Sequence, residues 1–265
     1  MIEIKDKNGV VLYRHERGEQ TYAAAVEAAI DARVSLVGAV LDGADLSRTD
    51  LEEVNLVGAS LRRANLSRAN LEEANLAGAD LREAMLRGAN LEEANLSAAD
   101  LEGALLESVN LEEANLERAK LPYAQLRGSN LEEANLSGAV LSDANLEGCN
   151  LENARLIGAT LDNAVLCRSN LEKAQLARAR LRRADLSGAN LEKADLEGAD
   201  LTGAKLQGAN VEKANLRGAS LASANLDESS FERADLRDAN LEGASRERAS
   251  FHRAVGLPPA RMPSA

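Results

Sequence analysis

Leucine returns every five residues from Leu36 onward without a slip of register, and this period constrains the fold more than any other feature of the chain. Of the 44 slots from Leu36 to Phe251, 40 hold Leu; the others are Val211, Phe231, Arg246 and Phe251. A period of five matches neither a 3.6-residue helix nor a long strand of period two, which excludes a helical bundle or coiled coil. Two residues before each slot, 36 of 44 positions are Ala, and the exceptions (Val34, Thr49, Val54, Val109, Ser129, Cys149, Ser169, Ser229) are small or β-branched. The residue between is Asn or Asp in 26 of 44 units. Such a triplet alternates inward, outward, inward, as a very short strand does. The two remaining residues must turn the chain. In agreement, 16 of the 19 glycines lie two residues after a leucine slot, where a corner can require positive φ.

A second period gives the number of sides. Leu71-Glu72-Glu73-Ala74-Asn75-Leu76 returns at 91, 111 and 131, with variants at 51, 171, 191, 211 and 231, a spacing of 20 residues. Four five-residue sides therefore make one coil, and 44 units make about 11 coils. Stacked at the ~4.8 Å separation of neighbouring strands, they form a rod of roughly 50 Å. Aromatics are only 2% of the chain and Trp is absent, so leucine on the axis with alanine between must supply the core. At about 1.5–3 kcal/mol per buried leucine, the stack contributes of order 10² kcal/mol before chain entropy is subtracted.

The unit A-(N/D)-L-x-x, as in Ala69-Asn70-Leu71-Glu72-Glu73, resembles the pentapeptide repeat proteins over about residues 34–251. The resemblance implies an all-β solenoid, a right-handed quadrilateral β-helix. It implies little about function, because many members have no assigned task. Some members protect type II topoisomerases from poisons; they are acidic rods of DNA-like dimensions, and in some the C-terminal ends join head to head. This chain is similar in charge and length but differs in an extra N-terminal segment and in having no loop inserted between coils.

A stacked solenoid exposes an apolar disc at each end and needs caps. Residues 1–33 read as one. Ile2-Glu3-Ile4-Lys5 and Val10-Val11-Leu12-Tyr13 flank Asn8-Gly9, a strong hairpin signal, and Thr21 can cap a helix over about 22–33. Tyr22, Val26 and Ile30 then form the face expected to lie on the first coil. At the other end Arg246 in a leucine slot marks the breakdown of the pattern, and residues 252–265 read as an irregular tail. Phe231 and Phe251, in one inward column, are candidates for a cap or for a homodimer contact of the kind the resemblance permits.

Residues 20 apart stack, so each outward position becomes a column. One column is an amide ladder, Asn70, Asn90, Asn110, Asn130, Asn150, Asn170, Asn190 and Asn210, able to bond copy to copy. The adjoining corner carries Glu52, Glu72, Glu92, Glu112 and Glu132, beside Glu53, Glu73, Glu93, Glu113 and Glu133. Beyond these, Glu152, Glu172, Glu192, Glu212 and Glu232 are paired with Asn153, Lys173, Lys193, Lys213 and Arg233. Two carboxylates per ~4.8 Å give one charge per ~2.4 Å, of the order of the ~1.7 Å per charge of duplex DNA. Neighbouring charges repel by roughly 1 kcal/mol in water before screening, so the ladder is tolerable. Two readings stay open: a surface that replaces the phosphate backbone in a basic groove, as the resemblance implies for a gyrase-like partner, or glutamate serving solubility alone. A third feature is apolar. Met85, Leu105 and Val165 share an outward column, interrupted by Gln125 and Asn145, with Tyr123 and Pro122 nearby, an alternative partner site for a scaffold protein. Pro122 lacks an amide donor and is expected to disturb the ladder.

Other functions find little support. With 31 Lys+Arg against 43 Asp+Glu, a net charge of −12 and few aromatics, direct nucleic-acid binding is not expected, although Arg178, Arg180, Arg182 and Arg183 form a basic cluster. His15 and His252 lie at opposite ends, and Cys149 is inward where Cys167 is outward, so neither a catalytic pair, a disulfide nor a shared metal is expected. No glycine-rich nucleotide motif or calcium-binding nonapeptide occurs, and four threonines cannot make an ice-binding face. No cofactor, no enzymatic activity and no membrane association are expected. The start of the chain has no apolar leader and no stretch reaches the ~20 apolar residues of a membrane span, which makes a cytoplasmic location the expectation.

Overall fold

The computed structural model describes residues 1–16 and 18–257. A regular ladder dominates it. Parallel bridges join residue i to residue i+20 from Val40–Ser60 to Asp235–Val255, so each turn of the chain spans 20 residues and has four sides. The sides are named here by one coil's middle residues: Asn90, Asn95, Asp100 and Leu105. The leucine and small-residue slots from Leu36 to Leu236 are buried in one continuous cluster, and even Thr49, Ser129, Ser169 and Ser229 are at most 2% exposed.

One unit accounts for every backbone donor. Leu71 N–H donates to the Asn90 carbonyl (2.7 Å) and Glu73 N–H to the Glu92 carbonyl (2.9 Å), both in the next coil. Ala74 N–H closes a turn on the Leu71 carbonyl (3.0 Å), and Asn75 N–H reaches back to the Val54 carbonyl (2.8 Å). The fifth donor, Glu72 N–H, bonds the side chain of Asn70 (3.4 Å). That last bond explains the amide position of the repeat. All 26 Asn and Asp residues of the middle column accept the N–H two residues onward. Where Ser60 and Arg180 replace them, Asp42 and Asp162 of the preceding coil accept the N–H of Arg62 (3.1 Å) and Arg182 (3.2 Å) instead.

Pro122 follows from the same accounting. It occupies the position whose N–H never enters the ladder, and Lys120, two residues earlier, offers no acceptor. The expected disturbance is therefore absent: the Pro122 carbonyl still accepts from Gly103 (3.0 Å) and Tyr123 N–H still donates to Ser142 (3.2 Å).

Every corner from Arg33 to Arg253 turns on a residue at positive φ, and only 16 of these are glycine. Glu53, Glu73, Glu93, Glu113 and Glu133 all sit there, at φ 55° to 58°. A side chain in this left-handed region carries a strain of order 1 kcal/mol or more. The closed hydrogen-bond pattern and buried leucines hold it in place.

At the N-terminal end, β1 (Ile2–Asp6) pairs antiparallel with β2 (Val11–His15) and, on its other edge, with β3 (Ala39–Val40). The hairpin thus extends the Asp100 side of the solenoid by two strands. Helix α1 (Tyr22–Asp31) starts at Thr21, whose side chain accepts from Ala24 N–H (3.2 Å). It buries Ala25, Val26 and Ala29 in the same cluster as Leu36 and Leu41. Tyr22, expected on that face, is 38% exposed, because the buried stripe is centred on the two alanines. The helix ends two residues earlier than expected through bonds from Arg33 N–H to Ile30 (2.8 Å) and Val34 N–H to Ala29 (2.9 Å). Arg33, at φ 56°, is both the left-handed residue ending the helix and the first corner of the column that continues as Glu53 and Glu73.

Towards the C-terminus, Arg246 is half-buried without interrupting its coil, since Ala249 N–H still bonds the Arg246 carbonyl (3.3 Å). The ladder runs on to Val255, and Phe251 stacks on buried Phe231 with ring centroids 5.1 Å apart. Of the tail expected over 252–265, residues 258–265 lie outside the described residues.

Two substitutions separate strain from packing. Ala98→Gly, at φ 55°, raises unfolding free energy by about 1 kcal/mol in denaturant titration, reversing the usual penalty of glycine. Leu116→Ala, at a buried slot, lowers it by about 2–5 kcal/mol.

Candidate functional site

The acidic corner lies between the Asn90 and Asn95 sides. In the left-handed column, Glu73, Glu93, Glu113 and Glu133 are exposed, whereas Glu72, Glu92, Glu112 and Glu132 are half-buried. The half-buried row is held in place by its neighbours. Asn90, Asn110, Asn130 and Asn150 each donate Nδ2–H to the Oε2 of Glu72, Glu92, Glu112 and Glu132 at 3.0 Å. Asn70 reaches Glu52 at 3.3 Å. The same amides bond copy to copy from Asn90–Asn70 (3.3 Å) to Asn210–Asn190 (3.0 Å). Each Oδ1 also takes the corner N–H, so one amide braces its own turn, its copy and the carboxylate below.

The corner divides electrostatically along its length. In the first half no ion pair to Glu52, Glu53, Glu72, Glu73, Glu92, Glu93, Glu112, Glu113, Glu132 or Glu133 occurs among the described residues. Repulsion from Glu113 first and Glu73 next raises the Glu93 carboxyl above its ordinary value. In the second half Lys173 pairs with Glu152 (2.9 Å), Lys193 with Glu172 (3.2 Å) and Lys213 with Glu192 (2.7 Å). There the lysine hydrogen bonds hold Glu152 and Glu192 below the usual carboxylate range.

The corner diagonally opposite, between the Asp100 and Leu105 sides, is zwitterionic. Arg62 bridges Asp42 (2.9 Å) and Asp80 (3.8 Å), Arg63 pairs with Glu83 (2.9 Å), and Arg82 with Asp80 (2.6 Å). These guanidiniums line a recess, yet each already has a carboxylate, so the recess is poorly suited to an anion. In the expected basic cluster, Arg180 contacts Asp162 and Arg182 pairs with Asp200 (2.6 Å), while Arg178 lies on a different corner from Arg182 and Arg183.

The apolar candidates divide. Met85 and Leu105 are bridge partners in adjoining coils, with Met85 37% exposed. Val165 is three coils beyond Leu105, separated by Gln125 and Asn145, and does not join them. Tyr123 stands at the neighbouring corner, 57% exposed.

Cys149 is buried and free, its thiol donating to the Leu126 carbonyl (2.9 Å); burial pushes its pKa up to about 12. Cys167 is half-buried. Among the described residues no group of three His, Cys, Asp or Glu side chains is placed to hold a metal ion, and no helix is long and apolar enough to cross a membrane.

With this geometry in view, the family model for pentapeptide repeats matches the chain in eight overlapping copies, from residues 32–72 to residues 214–253. The chain is a pentapeptide repeat protein. Its solenoid is accordingly a right-handed β-helix, and it belongs among repeat-protein scaffolds that are in general non-enzymatic and commonly mediate protein interactions. It is similar to HetL of the cyanobacterium Nostoc sp. strain PCC 7120, a pentapeptide repeat protein involved in heterocyst differentiation regulation. That similarity is 30% identity over 91% of this chain and 97% of that chain, with a TM-score of 0.54. Alr5209, also from Nostoc, is 36% identical over 43% of this chain and 84% of that chain, with a TM-score of 0.32. Full-length QnrB1, a plasmid-mediated fluoroquinolone resistance protein, is 19% identical over 78% of this chain and 91% of that chain, with a TM-score of 0.43. No curated protein sequence matches this chain.

The halves of the acidic corner respond oppositely to pH. A raised carboxyl, as in Glu93, destabilises the fold above its folded pKa, and the effect fades as pH falls towards the unfolded value. A lowered carboxyl, as in Glu192, stabilises above the unfolded value and loses that contribution as pH falls through its folded pKa. Glu93→Gln therefore raises the melting temperature at pH 7 and Glu192→Gln lowers it, both differences shrinking towards pH 3. In native protein at pH 7.5, about a unit below an ordinary thiol pKa, maleimide labels Cys167 and leaves Cys149 unmodified until denaturant is added.

Proposed function

We propose that this protein is a non-enzymatic binding rod whose acidic corner stands in for the phosphate backbone of DNA in the basic groove of a type II topoisomerase of the gyrase kind. The observation that carries this reading is the first half of the corner. There ten carboxylates, from Glu52 and Glu53 to Glu132 and Glu133, run in two straight rows through successive coils without an ion pair among the described residues. The half-buried row is oriented by the amide ladder, so a partner meets charges whose positions are already set and less ordering entropy is lost on docking. A groove built to neutralise regularly spaced phosphates with Lys and Arg gains from such an array as it does from DNA. The reading carries with it a cytoplasmic location, protein rather than nucleic acid as the partner, and modulation or protection of the enzyme against poisons.

The C-terminal end belongs to the same proposal. Phe251 covers Phe231 but remains half-buried itself, which leaves apolar surface for a second copy. A second reading rests on Met85, Leu105 and Tyr123: a scaffold that holds a protein through apolar contacts, with glutamate serving solubility.

A supercoiling assay with purified gyrase and a poison separates the two. The protein at micromolar concentration is expected to inhibit or protect, and the triple change Glu73→Gln, Glu93→Gln, Glu113→Gln to abolish the effect. Glu172→Gln, Glu192→Gln, Glu212→Gln in the compensated half should leave it largely intact. No effect of the parent protein, or equal activity of the first triple variant, removes the topoisomerase reading.

A further inference from the structure

Tyr123 occupies a position that suits its side chain poorly. Among the non-glycine corner residues from Arg33 to Arg253 it is the one aromatic; the rest are Arg, Lys, Glu, Asp, Asn, Ser or Ala. It sits at φ 60° and is 57% exposed, so its ring carries backbone strain without contributing to the core. A serine or glycine would turn the chain there with less strain.

The surroundings are specific. Pro122 restricts the backbone entering the corner. One coil earlier the same column holds Gly103, which leaves one flank of the ring without a neighbouring side chain. One coil later it holds Asp143, and Glu102 precedes Gly103. Both carboxylates are exposed, and neither has an ion-pair partner among the described residues. The nearby cations are engaged elsewhere. Lys120 faces Asp100 at 4.0 Å, and Arg82, which feels the field of Glu102, is held by both oxygens of Asp80 (2.8 and 2.6 Å). On the adjoining side Met85 and Leu105 form a two-coil apolar step. Gln125, next in that column, folds its amide onto the Tyr123 carbonyl (3.0 Å).

We propose that this corner docks a protein segment in which an arginine or lysine is flanked by aliphatic side chains. The cation lies over the Tyr123 ring, where the ring quadrupole attracts it, with its charge between Glu102 and Asp143. The aliphatic neighbours cover Met85 and Leu105. Charge complementarity selects the cation, and the apolar step distinguishes this segment from a simple polycation. The surface lies diagonally across the rod from the acidic corner and does not rest on the topoisomerase reading.

The test is calorimetric titration of the full chain with the peptide acetyl-Leu-Arg-Leu-Arg-Leu-amide at physiological ionic strength. Saturable binding at one site is expected, weakened roughly tenfold or more by Tyr123→Ser, retained by Tyr123→Phe, and weakened by Glu102→Gln with Asp143→Asn. The Glu73→Gln, Glu93→Gln, Glu113→Gln protein should bind as the parent does, and replacing Leu by Ser in the peptide should lose most of the affinity. Equal binding by the parent and Tyr123→Ser overturns the proposal. So does binding lost only in the acidic-corner variant, equal affinity for the Ser-Arg peptide, or no saturable binding. All of these substitutions are at exposed positions outside the core, and the supercoiling assay reads the other corner independently.

Discussion

Everything on the outside of this rod depends on the left-handed residue at each corner. Five residues form a straight side only if the chain bends by the same amount after every leucine, and the bend is set where Leu71, Glu72, Glu73 and Ala74 close their turn. With Glu73 at φ 56°, its N–H points along the rod into the next coil as the Leu71 N–H does. One corner in another conformation would withdraw those donors and shift every later residue out of its column. The strain is accepted because the alternative is a set of buried, unpaired backbone groups beside leucines that no longer meet.

The amide of the repeat links this backbone constraint to the surface. An Asn at the middle of a side has one acceptor oxygen and two amide hydrogens, and from Asn90 to Asn170 all are used. The oxygen takes the corner N–H and its copy's amide; the hydrogens go to the copy below and to the glutamate below. Replacement by Asp keeps the corner bond but removes the donors, which is why Asp80 and Asp200 draw arginines instead. What stacks above an Asp then decides the outcome: an Asn continues the amide ladder, as Asn215 does on Asp195, whereas a nearby arginine or lysine makes an ion pair, as at Asp200 and Asp185.

How far the sequence reveals this differs by level. Leucine at five and the Glu-Glu unit at twenty make the solenoid and its square cross-section legible, because each coil must repeat the spacing of the one below. The columns were legible for the same reason: Glu72, Glu92 and Glu112 stack because the pitch is constant. What escaped was local. Glycine marks only some corners, and nothing about Glu93 or Arg63 as residue types announces positive φ; tertiary packing overrides their preference. Pro122 reads as disruptive only if its missing N–H is a ladder donor, whereas in the coils that position bonds side chains, Asn or Asp in nearly every case, and never the ladder. Tyr22 looked buried on helical spacing, but alanines allow the closest approach to the first coil and leave the larger ring at the edge.

Because each coil touches only its neighbours, the exterior columns can diverge without disturbing the core. The acidic corner illustrates this. The same glutamate row runs past two different partner columns, glutamate first and lysine afterwards, on an unchanged backbone. The diagonal corner carries an unrelated pattern of arginine, proline and tyrosine on the same coils. A rod of this construction therefore offers several separable faces, and a single overall charge describes none of them. Net charge would place both diagonals in one acidic surface, yet one presents unpaired carboxylates in file and the other presents arginine ion pairs that give way to an aromatic between two lone carboxylates. Recognition by a basic groove needs the first arrangement, since paired carboxylates such as Glu172 and Glu192 have already given their field to Lys193 and Lys213. On the proposed reading, the length of the uncompensated file, rather than the total of acidic residues, would set how much of a phosphate backbone the rod replaces.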